Sequence, residues 1–198
     1  MISGLKTFTD GGLRRARWML VSLLCAAAPA WAFDLGELMG LLAKQKQGEA
    51  TFTEQRYVRG FDGPLAASGT LSFTAPDQLV RRTLTPRPET MAVDGNNLVL
   101  SRSGRTRSMT LDSVPELQGL VEAMRATLAG NSQVLERYFK STVIGGADAW
   151  TLDLAPVDSR LSSQIAVLRL SGKAGEVLGV EMEFRGGDRS VMTIVPKR

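Results

Sequence analysis

A carboxylate pair, a serine pair and two groups of arginines are the residues from which this chain could build chemistry. Glu181 and Glu183 share one face of an alternating segment, opposite Val180, Met182 and Phe184. A two-residue strand spacing sets their carboxylates about 7 Å apart, a separation that glycoside hydrolysis can use. The same pattern is that of a solvated strand face. Ser162-Ser163 lies near Lys173 in sequence only, with no nucleophile motif around it. The chain of 198 residues contains no His, which removes Ser-His-Asp and Cys-His mechanisms together with the commonest zinc ligand. No enzymatic activity, cofactor or metal is expected.

Arginines form the other polar groups. Arg102, Arg105 and Arg107 read as a charged hairpin edge that discourages aggregation. Arg81 and Arg82 are candidates for the edge of a ligand cavity, where they would meet a polar head group. Consecutive strand residues point to opposite faces, so only one of the two can face such a cavity.

The elements that must position these residues are mostly strands. Asp34 is placed to cap an amphipathic helix carrying Leu35, Leu38, Met39, Leu41 and Leu42, expected to end near Gly48. The period then drops to two. Segments 51–57, 69–74, 79–85, 90–93, 98–101 and 105–111 alternate, and Asp94-Gly95 marks a hairpin between the fourth and fifth. Leu117, Leu120, Val121, Met124 and Leu128 restore a helical spacing that starts at Pro115 and closes at Gly130. Strands are expected again over 138–144, 149–154, 165–170, 177–184 and 190–195.

About ten antiparallel strands with two or three helices imply a mainly β (α+β) fold. Such a sheet curls into an incomplete antiparallel β-barrel, its concave apolar face covered by the helices. Phe52, Leu71, Phe73, Met91, Val93, Leu98, Leu100, Trp150, Leu152 and Leu154 take alternating strand positions, and Leu120 and Met124 lie on the helical stripe. They form either an ordinary hydrophobic core or the lining of an apolar ligand cavity.

Residues 1–32 change the charge arithmetic. Arg14, Arg15 and Arg17 precede a short apolar run that closes on Pro29-Ala30-Trp31-Ala32. A basic stretch, an apolar stretch and small residues at the −3 and −1 positions form a secretory signal peptide, with cleavage expected after Ala32. Its removal takes Lys6, the three arginines and Asp10, leaving 20 bases and 19 acids on residues 33–198. Nucleic-acid binding thereby loses its electrostatic support. Cys25, the one cysteine, leaves as well. A single exported domain over 33–198 is expected.

Three segments follow one another over residues 33–198: Ala50-Thr-Phe-Thr-Glu-Gln55, Ser68-Gly-Thr-Leu-Ser-Phe-Thr-Ala-Pro76 and Trp150-Thr-Leu-Asp-Leu-Ala-Pro156. In that order they resemble the LolA-like periplasmic carriers of outer-membrane lipoproteins. The first is similar to the family's "(A)xFxQ" strand, and the second to its "GxLxxxRP" stretch. The distance from Pro76 to Asp94-Gly95 fits without a gap, and the third is similar to "WxLxPk". The resemblance implies a monomeric periplasmic carrier that holds the acyl chains of lipoproteins or other acylated cargo in an apolar cavity. It would receive cargo from an inner-membrane exporter and pass it to an outer-membrane acceptor. Two departures stand out: the family's Arg before Pro is Ala75 here, and the aromatic of its "FxW" corresponds to Arg81. A non-carrying periplasmic interaction or sensor module on the same scaffold is the alternative.

Overall fold

The computed structural model describes residues 33–197, so the expected leader lies outside the described residues. Helix α1 (Leu35–Leu42) starts where the Asp34 carboxylate accepts the Glu37 N–H at 2.9 Å. It buries Leu38, Met39 and Leu42. The helix stops before the expected Gly48, because Gln47 and Gly48 already pair with Thr74 and Phe73 of the sheet. No apolar stripe continues through Lys44-Gln45-Lys46-Gln47 to hold a helix against that pairing.

Eleven strands follow the alternating segments: β1 (Gln47–Tyr57), β2 (Leu65–Thr74), β3 (Gln78–Thr85), β4 (Glu89–Asp94), β5 (Asn97–Arg102), β6 (Arg105–Thr110), β7 (Phe139–Gly146), β8 (Ala149–Pro156), β9 (Ile165–Lys173), β10 (Glu176–Phe184) and β11 (Arg189–Pro196). They form one antiparallel sheet in the order β6-β5-β4-β3-β2-β1-β11-β10-β9-β8-β7. The edges β6 and β7 do not pair, so the barrel is incomplete. The first half of the chain steps outward from β1 by hairpins, and the second half steps back until β11 pairs with β1.

Helices bridge the two edges. A 3-10 turn (Leu111–Ser113) leads into α2 (Pro115–Ala129), which opens on a proline and ends at Gly130 with φ +68°. A Cβ there would lie against the Met39 carbonyl of α1, so both conformation and space require glycine. Two short helices were not expected. Asn131 caps α3 (Ser132–Tyr138), which takes Tyr138 from the expected strand, and Asp158 caps α4 (Ser159–Gln164) through the Arg160 and Leu161 N–H groups at 2.9 and 3.0 Å.

The helices divide the core in two. The larger cluster joins α1 and the middle of α2 to β7, β8 and β9, with Leu38, Leu42, Leu135, Leu152, Leu154, Leu168 and Leu170 buried. The smaller one holds Val93, Leu98, Leu111 and Val121.

Candidate functional site

Register shows which side chains share the concave face, since directly paired residues lie on the same side. Leu71 pairs with Arg81, Arg81 with Met91, and Met91 with Leu100, making one row across β2 to β5. The next row runs Phe73, Leu79, Val93 and Leu98. On the other wing Leu170 pairs with Leu152 and Leu168 with Leu154. The expected strand residues thus gather on one face.

They differ in how they are covered. Trp150, Leu152 and Leu154 are sealed in the larger cluster, with Leu120 and Met124 of α2 packed against it. The Trp150 indole N–H donates to the Ala174 carbonyl at 2.9 Å. Val93 and Leu98 are sealed in the smaller cluster, with Met91 and Leu100 partly exposed beside it. Phe52 and Phe73 are buried in the strands between, and Leu71 is partly exposed there. Leu71, Met91 and Leu100 therefore form an apolar row that the helices do not close.

Arg81 sits in that row. Its Nη2 donates to Glu54 Oε2 at 2.5 Å, and its guanidinium stacks 4.7 Å from the centre of the Phe52 ring. Ser190 Oγ donates to the other Glu54 oxygen, also at 2.5 Å. The Glu54 and Arg81 side chains are 14% and 31% exposed. A neutral ion pair thus lies amid apolar side chains. Arg82 is exposed on the convex face, as alternation demands, and is not part of this group.

Glu181 belongs to the convex face, where it serves an ionic ladder. Arg169 donates to both Asp153 oxygens at 2.7 and 2.8 Å, and Arg189 Nη2 donates to Glu181 Oε2 at 2.8 Å. Donating to the Asp153 carboxylate raises the Arg169 pKa, and donating to Glu181 raises the Arg189 pKa. Among the described residues no three His, Cys, Asp or Glu side chains are grouped as a metal site.

Two of the depressions on the described surface are lined by none of the expected site residues. One of about 380 Å³ lies between α2 and the β2–β3 and β4–β5 hairpins. There Arg125, 7% exposed, donates to Glu122 at 3.1 Å and to the Gly95 carbonyl at 2.7 Å, its Nε unpartnered. The sequence had given no sign of this helix-to-hairpin tie. The second, about 330 Å³, is lined by residues of β1, β2, β3 and β11, among them Thr53, Glu54, Ser68, Thr85 and Thr193.

Residues 26–195 match the family described as outer membrane lipoprotein carrier protein LolA-like. The chain belongs to that family. Its expected fold class, an open antiparallel sheet with helices on its concave side, is the one observed. The chain is similar in structure to a LolA superfamily protein from Nitrosomonas europaea, at 11% identity over 83% of this chain and 92% of that one, with a TM-score of 0.45. It is similar to the lipoprotein LppX of Mycobacterium tuberculosis, at 11% identity over 81% and 93% of the two chains and a TM-score of 0.40. It also resembles the MucA/MucB complex of Pseudomonas aeruginosa, at 13% identity over 83% of this chain and 58% of that one, with a TM-score of 0.42. A comparison with curated proteins returns no significant match.

The family departures fall at distinct places in this LolA-like domain. Ala75 lies in the β2–β3 turn, where its N–H donates to the Lys46 carbonyl at 2.8 Å. Arg81 lies on the concave face, two pairings from Leu100.

Proposed function

We propose that this LolA-like protein is a periplasmic carrier that binds the acyl chains of lipoproteins or other lipidated cargo and shuttles them between membranes. The observation that carries the reading is the row Leu71, Met91 and Leu100, apolar and partly exposed inside the curve of the sheet. Apolar area left in contact with water gains about 25 cal/mol per Å² when a hydrocarbon covers it. Phe52, Phe73, Val93 and Leu98 continue that surface beneath, and Leu120, Met124, Trp150, Leu152 and Leu154 extend it where helices now lie. Acyl chains enter along the row and replace helix contacts deeper in. Arg81, tied to Glu54, is the polar group nearest a cargo head group. The other participants are an inner-membrane exporter and an outer-membrane acceptor.

Calorimetric titration with saturated fatty acids of increasing length tests this reading. Each added methylene contributes about 0.8 kcal/mol when buried, so affinity rises about fourfold per carbon until the site is full. Absence of saturable heat at every length below the micelle threshold defeats the carrier reading and leaves the interaction-module alternative.

Residues 1–32 are proposed to be the export signal, cleaved after Ala32. Phe33 packs against the larger cluster and Asp34 caps α1, which supports a domain that begins at Phe33. N-terminal sequencing of the exported protein then reads Phe33 first, and an intact Met1 refutes the cleavage.

A further inference from the structure

Strand direction sorts the hairpins of β1 to β6 into two ends, and the ends differ sharply in charge. At one end lie the β1–β2, β3–β4 and β5–β6 connections. Their loops and flanking residues carry Arg56, Arg59, Arg87, Arg102, Arg105 and Arg107 against Asp62 and Glu89, a net charge of +4. At the other end the β2–β3 and β4–β5 turns and the exit from β6 carry Asp77, Asp94 and Asp112, and the entry to β1 carries Lys44 and Lys46. Hydrogen bonds from Thr110 and Asn96 hold the Asp112 carboxyl below its ordinary pKa. Arg59, Arg87, Arg105 and Arg107 form no ion pair with another described residue.

The basic end is also the apolar end. Among the described residues seven large apolar side chains are exposed, and four of them are there: Tyr57, Phe61, Leu65 and Leu84. Phe61, 64% exposed, caps the β1–β2 loop, where its N–H donates to the Val58 carbonyl at 3.1 Å. The loop is anchored rather than loose. Asp188 of the β10–β11 turn accepts the Arg59 N–H at 3.2 Å and pairs with Arg56 at 3.6 Å. An aromatic tip, aliphatic neighbours and unpaired arginines on one end are the features that recognise a lipid–water interface. The rings and aliphatic chains enter the head-group region while the arginines meet phosphates.

We propose that this end of the sheet docks the protein reversibly on an anionic phospholipid surface. Charge complementarity selects this occupant. An acidic protein would satisfy the arginines but gives no reason for an exposed Phe61 among them. Arg102 and Arg105 share the concave side with Phe52, because Phe52, Gly69, Thr83, Glu89, Arg102 and Arg105 form one row of the register. Docking therefore brings the rim of the concave face to the membrane. The inference does not rest on the carrier reading, since surface docking needs no acyl chain in the cavity.

Co-sedimentation of the protein, taken from the soluble extract of expressing cells, with phosphatidylcholine vesicles with and without phosphatidylglycerol tests the proposal. Binding is expected to require phosphatidylglycerol and to fall as salt rises. Arg105→Gln and Arg107→Gln each weaken it about fivefold, at about 1 kcal/mol per arginine near the surface. Phe61→Ser weakens it about tenfold as the ring stays in water, and Asp77→Asn at the other end leaves it unchanged. Equal binding to pure phosphatidylcholine overturns the proposal, as does binding insensitive to all three substitutions. Capture by polyglutamate without vesicle binding overturns it too and assigns the patch to an acidic protein. Fatty-acid titration of the same preparation reports separately on the carrier reading, so either can fail alone.

Discussion

Glu54 is a carboxylate largely shut away from water on an apolar face, and its environment explains why it is tolerated. Arg81 supplies a charge-assisted hydrogen bond, Ser190 supplies a second, and Phe52 lends its ring to the guanidinium. Removing Arg81 strands the carboxylate with one hydroxyl donor. Unpairing a fully buried charge costs about 3–5 kcal/mol, and the partial exposure of Arg81 reduces this through solvent screening. Arg81→Ala should therefore lower stability by about 1–2 kcal/mol, read as a lower urea midpoint with an unchanged slope. Arg82→Ala, on the convex face beside it, should stay within about 0.5 kcal/mol of the parent. Equal effects at the two positions contradict the assignment of Arg81 to the concave face. Sequence alone could not separate these arginines: alternation says that one faces inward, and only the pairing with Leu71 and Met91 says which. Glu54 gave no signal at all, because its partners lie 27 and 136 residues away.

Each of the alternating segments became a strand because period-two patterning survives in a sheet with one buried face. The helices were less legible. The spacing of Leu117, Leu120, Val121 and Met124 over several turns revealed α2, whereas α3 and α4 have 7 and 6 residues and offer one buried leucine each, Leu135 and Leu161. Their marks are the caps, Asn131 and Asp158, and a single cap residue also fits a turn. Gly69 shows a different limit. The family motif singles it out, but its reason is tertiary: a Cβ there would collide with the Arg82 carbonyl of β3, at the shift in register between Ser68 and Gly69. Trp150 had two readings that patterning cannot separate, cavity wall or packed core. Its ring lies where a Cβ on Gly172 would strike it, packed between β8 and β9 beneath the helices.

Across the whole molecule the two wings of the sheet are unequally supported. Among the described residues fourteen buried ones from α1, α2, α3, α4 and β7 to β9 make the larger cluster, whereas four make the smaller one that holds β4 and β5 under α2. The β6 edge pairs on one side only. Local opening free energies follow buried apolar contacts and backbone bonds shielded from solvent. Amides of β4, β5 and β6 should thus exchange with solvent well before those of β8 and β9, in a cooperative unit that opens without global unfolding. If the concave face takes acyl chains, ligand must cover Leu71, Met91 and Leu100 on this weaker wing. Saturating fatty acid then slows exchange in β4 and β5 by about the factor by which ligand exceeds its Kd, while β8 and β9 hardly change. Hydrogen exchange read by mass spectrometry, with and without ligand, measures both effects. Uniform protection across the sheet refutes the unequal wings, and ligand protection confined to β8 and β9 moves the acyl site to the larger cluster, beneath the helices.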